Sequence, residues 1–363
     1  MKFPFVRPEL PPVEAWGPLL EPAYQARYFT NFGALETRFS EALAGRFASE
    51  GSAVTLANNA TVALSAALLA HGVRGKVAIP SFTFPATLDA VLMARCEPVL
   101  CDVSADTCEM DPDSLSKAMD EHEIAAVMPV RAYGFVRDFA PLVELARSRS
   151  AVVVVDAAAA LGAGKVQTAP DVTEVFSLHA TKAFGIGEGG AIFSDAALRP
   201  RLKQAMNFGL RPDRQFDYGF NGKMSEFQAA VGLAHLSRND ALVEGRRRMA
   251  DWYGRRLEAH PRVTVLANPG PTAWSNFPIL LPDGADAQAF QDFCHGRGYQ
   301  VRRYYWPTLH EGYAEPVLCV GGLDQASSLA KRAICLPLYP AFTDEEAAEI
   351  ALVLDQALSL HAG

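Results

Sequence analysis

The chain has 363 residues, of which 50% are hydrophobic and 20% are charged, and its formal net charge is −8. This length allows one large domain with a smaller one, and the composition is that of a well-packed globular protein. The acidic balance argues against sequence-independent binding of nucleic acid, which needs a basic surface. Because there is no run of 18 apolar residues and no visible secretory signal, we expect a cytoplasmic protein that does not insert in a membrane.

The six cysteines and eight histidines do not indicate a metal site. No two cysteines form a C-x-x-C pair, and the histidines lack the spacing of zinc ligands. In a chain of this size we expect the cysteines to be reduced and mostly buried. The sequence therefore predicts no bound metal.

Predicted elements alternate between helix and strand over the first two thirds of the chain. The first 30 residues are rich in proline and aromatic residues and are expected to wrap over the body of the protein. Helices are then predicted at 35–43, 62–70, 86–94, 115–119 and 139–147, and strands at 54–56, 76–80, 98–102, 125–130 and 152–155. Helices alternating with short apolar strands predict an α/β domain with a parallel-rich central sheet.

The pattern changes near residue 224, where long helical stretches begin. Helices are predicted at 225–236, 241–259 and 287–297, and strands at 263–266 and 277–281. We therefore predict a large α/β domain at 1–240 and a smaller α+β domain at 241–363.

Two polar residues that follow strand-like runs are the candidate catalytic residues. Four valines at 152–155 are typical of a strand buried on both faces, and Asp156 follows them. Lys182 follows a second apolar run at 175–178. Ligands of open α/β sheets bind at the carboxyl ends of the strands. An acid that holds a protonated ring nitrogen and an amine that forms an imine are what pyridoxal 5'-phosphate (PLP) requires.

Other interpretations of these residues exist. A lone lysine after a strand is most often a solvated surface group, and an aspartate there often caps a helix or forms a turn. The catalytic interpretation is favoured because Asp156 and Lys182 occur together with Ser177, five residues before the lysine, and with the GEGG run at 187–190. A dinucleotide site is the rival, because the glycines at 185, 187 and 190 match G-x-G-x-x-G. They precede a predicted strand instead of opening a helix, which argues against it.

The chain resembles the DegT/DnrJ/EryC1/StrS family of PLP-dependent sugar aminotransferases over residues 31–358. The matching motifs are PSFTFPAT at 80–87, PVRAYG at 129–134, DAA at 156–158, FSLHATK at 176–182, GEGG at 187–190, NGKMSE at 221–226 and LPLYP at 336–340. The resemblance implies the type I aminotransferase fold. It also implies that Lys182 binds the cofactor covalently and moves the proton, that Asp156 pairs with the ring nitrogen, and that Phe84 stacks on the ring.

The phosphate site implied by the resemblance is only partly regular. The family's Ser-Gly-Thr turn corresponds here to Asn59, Ala60 and Thr61, where Ala60 still offers its N–H and Thr61 its hydroxyl. The resemblance also makes Ser177 a further phosphate contact. Asn221 lies in the motif that reaches the phosphate of the neighbouring subunit, which implies a homodimer with shared active sites.

Ala159 is a second departure from the family pattern. The family usually has glutamine or histidine at this position, where the side chain contacts the phenolic oxygen of the cofactor. We expect this contact to be lost or to be made by water. Lys182 remains, which argues against the dehydratase branch of the family, where histidine takes its place.

The substrate is less well defined by the sequence. The segments TNFG at 30–33, NGKMSE at 221–226 and RYYWP at 303–307 look most like members that aminate C4 of a dTDP-linked 4-keto-6-deoxyhexose. L-Glutamate is the expected amino donor. Tyr305 and His310 are predicted to border the substrate, or else to pack the small domain. Alternative functions are amination of a non-nucleotide ring ketone, such as an aminocyclitol precursor, and a regulatory protein that keeps the fold without activity.

Overall fold

The computed structural model describes residues 1–162, 164–166, 169, 171–266 and 270–361. The α-helices in this part of the chain are α1 (Val13–Trp16), α2 (Glu21–Ala26), α3 (Ala34–Phe47), α4 (Ala60–His71), α5 (Pro85–Met93), α6 (Pro112–Glu121), α7 (Ala140–Ser148), α8 (Arg199–Ala205), α9 (Glu226–Leu236), α10 (Asn239–Leu257), α11 (Ala287–Gly296), α12 (Leu309–Gly312), α13 (Asp324–Arg332) and α14 (Asp344–His361). Short 3-10 helices span Gly17–Leu20, Ala132–Gly134 and Ala196–Leu198.

Two sheets are formed by the described strands. The strands are β1 (Ser52–Ala57), β2 (Lys76–Pro80), β3 (Glu97–Cys101), β4 (Ile124–Val127), β5 (Val152–Asp156), β6 (Val172–Ser177), β7 (Gly190–Asp195), β8 (Thr264–Val265), β9 (Phe277–Leu280), β10 (Leu318–Cys319) and β11 (Ala333–Leu336). The large sheet has the order β1-β7-β6-β5-β4-β2-β3-β10, and the small sheet has the order β11-β9-β8.

The large sheet is mostly parallel, as predicted from the alternation of helices and strands. The β6–β5, β5–β4, β4–β2, β2–β3 and β3–β10 pairs are parallel, and only β7 pairs antiparallel with its neighbours β1 and β6. Parallel strands end at a common edge, so side chains that follow β4, β5 and β6 converge there. The predicted α/β architecture with a parallel-rich central sheet is confirmed.

The valines of β5 show why this sheet is covered on both faces. Val153 and Val155 pack in one hydrophobic core, while Val154 packs in the core on the opposite face. Side chains alternate along a strand, so a continuous apolar run is needed only where both faces are buried. The polar Asp156 at the end of this strand is therefore held by a rigid element.

The C-terminal part surrounds a separate core. Met249 and Tyr253 of α10 pack there with Ile279 of β9 and Leu354 of α14. Phe3 from the start of the chain also belongs to this core, so the N-terminal segment crosses the surface as far as the small sheet. The boundary predicted at residues 240 and 241 falls in the first turn of α10, and the division into two domains stays a prediction.

Candidate active site

Asp156 is a buried carboxylate at the carboxyl end of β5. Its side chain is 5% exposed, and Oδ2 accepts a hydrogen bond from Thr87 Oγ1 at 2.8 Å. Oδ1 accepts a second one from the backbone N–H of Ala158 at 3.1 Å. Burial raises the pKa of the carboxyl, whereas these two hydrogen bonds and the charge of Lys182 lower it. Burial is the largest of these influences, so the pKa of the Asp156 carboxyl lies above its ordinary value, and the two donors hold the carboxyl in one orientation.

Lys182 lies on the turn that follows β6, where its backbone N–H donates to the carbonyl of His179 at 2.9 Å. Burial lowers the pKa of its amine, and the nearby carboxyl of Asp156 raises it. A buried amine with a lowered pKa has more of the neutral, nucleophilic form at neutral pH. The charges of Lys182 and Asp156 therefore influence each other at the carboxyl ends of β5 and β6.

One cavity of about 350 Å³ joins this pair to the other predicted residues. It is lined by Asn59, Ala60, Thr61, Leu64, Thr83, Phe84, Ala86, Val130, Arg131, Asp156, Ala158, Ala159, Ser177, His179, Thr181, Lys182, Glu188, Asn276, Arg302, Tyr304 and Tyr305. Its volume is within the range of small-molecule sites, and its few polar groups converge from several elements.

The N-terminus of α4 forms one end of the cavity. Asn59 caps this helix, because its Oδ1 accepts a hydrogen bond from the N–H of Val62 at 2.9 Å. The N–H groups of Ala60 and Thr61 occupy the first turn, where no intrahelical acceptor exists. The helix dipole adds positive potential, so this end of the cavity suits a phosphate. Ser177 lines the cavity as well.

The residues of the cavity fit PLP. The N-terminus of α4 suits its phosphate, the buried carboxylate of Asp156 suits a protonated ring nitrogen, and the amine of Lys182 suits the aldehyde carbon. The phenolic oxygen remains, and Ala159 offers it only a methyl group.

Ala159 is held firmly by its surroundings. Its carbonyl accepts a hydrogen bond from Ser275 Oγ at 2.6 Å. Gly134 has φ of +86°, and a Cβ there would lie 2.2 Å from the Ala159 carbonyl oxygen. Only glycine allows this close approach of two backbones. The position of residue 159 at the cavity wall is thus fixed by the backbone of the PVRAYG motif.

The other predicted residues differ in their placement. Phe84 lines the cavity and is 54% exposed, and Tyr305 lines it between the rings of Tyr304 and Tyr133. His310 is not among the described residues of the lining, since its ring bonds to Ser81 Oγ at 2.6 Å and Ser327 Oγ at 3.0 Å. Its role at the substrate stays a prediction.

Asn221 also lies outside the described lining of this cavity. Its carbonyl accepts a hydrogen bond from Asn58 Nδ2 at 3.3 Å, and its backbone pairs with that of Asn207. That its side chain serves another subunit stays a prediction.

Several residues of the site carry no clear signal in the sequence. Thr87 lies in a motif, but its hydrogen bond to Asp156 depends on the packing of α5 against the sheet. Asn276 and Arg302 come from the C-terminal part. The ring of His179 bonds to Thr181 Oγ1 at 2.9 Å and lies 3.5 Å from the carboxylate of Glu188. In the sequence, His179 and Glu188 are marked only by their place in the motifs between residues 176 and 190.

A larger cavity of about 570 Å³ lies against α7 and does not include Lys182 or Asp156. It shares Arg131 with the first cavity. The guanidinium of Arg131 forms a buried ion pair with Glu174 at 3.1 Å, between the two spaces. Lys165 and Asp138 line this larger cavity, but the N-terminus of α4 is not part of its described lining.

The part of the chain that the structure describes contains neither a candidate metal site nor a candidate membrane-spanning helix. No cluster of three or more His, Cys, Asp or Glu side chains there is arranged to hold a metal ion. In the same ranges, none of the helices combines the length and apolarity needed to span a bilayer.

Comparison with known proteins adds the family. The family described as the DegT/DnrJ/EryC1/StrS aminotransferase family matches residues 18–355. The chain is 30% identical to a dTDP-4-amino-4,6-dideoxy-D-glucose transaminase of Shigella dysenteriae, over 92% of this chain and 93% of the relative. It is 31% identical to a GDP-perosamine synthase of Caulobacter vibrioides, over 83% of this chain and 84% of the relative.

A solved structure agrees with this assignment. The crystal structure of DesI in the presence of its TDP-sugar product superposes with a TM-score of 0.89 at 29% identity, over 98% of this chain and 93% of that one. The predictions of the type I aminotransferase fold, the family, the enzyme class and the cofactor from the sequence are confirmed. The chain belongs to the DegT/DnrJ/EryC1/StrS aminotransferase family and is a PLP-dependent sugar aminotransferase.

Proposed function

We propose that this enzyme transfers an amino group from L-glutamate to C4 of a nucleotide-linked 4-keto-6-deoxyhexose, with dTDP as the nucleotide. The observation that carries the proposal is that the buried Asp156 and the half-buried Lys182 line one cavity together with the N-terminus of α4. Relatives named for dTDP-linked and GDP-linked 4-amino sugars support the substrate class.

Each residue of the pair has a separate task in this proposal. When bound, PLP supplies an electron sink that stabilises negative charge at the carbon that carries the amino group. Lys182 holds the cofactor through Nζ and, once free, moves a proton at the substrate carbon. Asp156 keeps the ring nitrogen protonated, because its carboxylate is fixed by Thr87 and Ala158.

The remaining residues of the cavity position the reactants. Asn59, Ala60, Thr61 and Ser177 hold the phosphate end, with Asn59 acting by ordering the first turn of α4. Phe84 covers one ring face. The lowered pKa of the Lys182 amine favours its neutral form between steps.

The same proposal includes a homodimer in which Asn221 completes the partner's phosphate site. The segment before Asn221 exposes a group of large apolar side chains: Phe208, Leu210, Phe216 and Tyr218. Phe216 alone is 75% exposed. Contiguous exposed apolar side chains on a globular protein mark an interaction surface, and a second copy would cover them.

Light scattering at micromolar concentration tests the dimer. We expect twice the chain mass for the wild type, and a monomer with weakened PLP binding for Phe216→Asp. A wild-type monomer that binds PLP tightly would contradict a shared site.

The activity is tested with purified protein, PLP and a panel of keto sugars. Glutamate should bleach the visible absorbance of the bound cofactor, and a dTDP-linked 4-keto-6-deoxyhexose should restore it and yield a 4-amino sugar by mass spectrometry and NMR. Restoration by a free cyclic ketone alone would favour the aminocyclitol alternative. Absence of any change with glutamate would favour a regulatory protein.

A further inference from the structure

Asn276 is a buried polar residue whose side chain lines the active-site cavity. It lies just before β9, is 6% exposed and lines the cavity of Lys182 and Asp156. Its carboxamide makes no hydrogen bond with another described residue. An amide at a cavity wall that bonds to no described residue is available to a ligand, because the few polar groups of small-molecule sites orient the bound molecule through hydrogen bonds.

The backbone places Asn276 beside Ala159. The preceding residue, Ser275, donates its hydroxyl to the Ala159 carbonyl at 2.6 Å, and the N–H of Ala183 donates to Ser275 Oγ at 3.4 Å. Ser275 therefore ties the segment before β9 both to residue 159 and to the neighbour of Lys182. Ser275 is absent from the described lining of the cavity, whereas Asn276 is part of it. The two neighbouring side chains therefore serve different surroundings, and that of Asn276 faces the cavity.

From this geometry we infer that the Asn276 side-chain amide donates the hydrogen bond to the phenolic oxygen of PLP that residue 159 cannot provide. The inference rests on the proposed roles of Lys182 and Asp156. A carboxamide has two N–H donors and is neutral, so it stabilises an oxyanion without adding charge. The segment before β9 thus replaces the contact that is missing at Ala159, and no water molecule is needed to bind the phenolic oxygen.

The strongest test measures the bound cofactor and not turnover. The isosteric variant Asn276→Leu removes the donor. A hydrogen-bond donor at the phenolic oxygen stabilises the deprotonated form of the bound cofactor more than the protonated form. Loss of the donor should therefore raise the pH midpoint of the visible absorbance band by about one unit. We also expect PLP to bind about tenfold more weakly in a titration of the apo-protein.

A double variant makes the test specific. In Asn276→Leu/Ala159→Gln, the glutamine restores a donor beside the same oxygen, and the midpoint should return toward that of the wild type. Thr272→Val is the matched control, because Thr272 is buried nearby and bonds to the Gly134 carbonyl at 3.2 Å outside the described lining. It should not move the midpoint. If Asn276→Leu fails to fold, Asn276→Asp keeps the shape, replaces the donor by a carboxylate and should raise the midpoint further.

The outcomes separate this inference from the proposed function. A wild type that binds PLP on Lys182 and is bleached by glutamate, together with unchanged midpoint and affinity in Asn276→Leu, overturns the inference alone. A shift produced by Tyr305→Phe instead of Asn276→Leu overturns it too, since another donor would serve the oxygen. A wild type that does not bind PLP overturns both.

Discussion

The two walls of the active-site cavity are built in different ways. The sheet wall, defined as Asn59, Thr61, Asp156, Ser177 and Lys182, follows strands of the large sheet or begins α4. The C-terminal wall, defined as Asn276, Arg302, Tyr304 and Tyr305, belongs to the part of the chain that contains the small sheet. The first wall contains the groups needed for amino transfer in general.

The C-terminal wall is organised by contacts between side chains and with the small sheet. The backbone of Arg302 pairs with that of Cys335 on β11, and its Nη1 donates to Tyr304 Oη at 2.6 Å. Tyr304, Tyr305 and Tyr133 form a stack with centroid distances of 5.5 and 5.7 Å, which joins the two walls. The groups that act on the amino group thus lie at the ends of strands, whereas the groups expected to adjust the cofactor and to select the substrate lie in the C-terminal part of the chain.

The largest effect is expected from the sheet wall at Lys182. Lys182→Ala should reduce turnover at least about 10⁴-fold, because it removes both the covalent attachment and the base. Borohydride reduction of the wild type followed by peptide mass analysis should place the pyridoxyl group on Lys182. Lys203→Ala is the control, since this lysine is half-buried against Phe32 and outside the cavity. A label on Lys165 or Lys203 would show that the assignment of Lys182 is wrong.

Asp156→Asn should reduce turnover on the order of a hundredfold or more while PLP stays bound, because a neutral amide does not keep the ring nitrogen protonated. Asp102→Asn is a matched control. Asp102 also follows a strand, but its carboxylate caps the start of α13 through the N–H of Ala326 at 2.8 Å. Activity near that of the wild type in Asp156→Asn would mean that Asp156 has only such a capping role.

Thr87→Val should change the pH dependence of the sheet wall. Loss of the 2.8 Å hydrogen bond removes a group that lowers the pKa of Asp156, so this pKa rises. The ionised form is then lost at a higher pH, and the acid limb of the pH–rate profile should move upward by up to about one unit. Thr173→Val, on β6 and bonded to His71, is the control. If the limb does not move, Thr87 does not support the carboxylate.

The smallest effect is expected on the C-terminal wall. Tyr305→Phe keeps the ring stack and removes one hydroxyl, so KM for the keto sugar should rise about fivefold with little change in kcat. PLP affinity should be unaffected. Tyr313→Phe, outside the described lining, is the control. Equal KM values for the wild type and Tyr305→Phe would mean that Tyr305 serves only in packing, and would contradict a role of the C-terminal wall in substrate binding.

Local sequence was sufficient for the sheet wall. Hydrophobic runs that are buried on both faces identify β5 and β6, and parallel strands end at one edge, so the sequence alone predicts that Asp156 and Lys182 meet. The helix predicted at 62–70 is also present, and it begins two residues earlier, at Ala60, because the Asn59 side chain caps it. These inferences need only a strand, its end and the next few residues.

The tertiary structure alone decided what faces this wall. Nothing around residue 276 distinguishes Asn276 from a loop asparagine until Ser275 is seen to bond to Ala159. Likewise, His310 and Tyr305 are neighbours in the sequence, yet only Tyr305 is among the described residues that line the cavity. The reason is physical: periodicity reports which residues are buried, whereas contacts between segments distant in the chain depend on how two sheets pack together. The missing side chain at 159 was visible in the sequence, and the neighbouring amide was visible only in the fold.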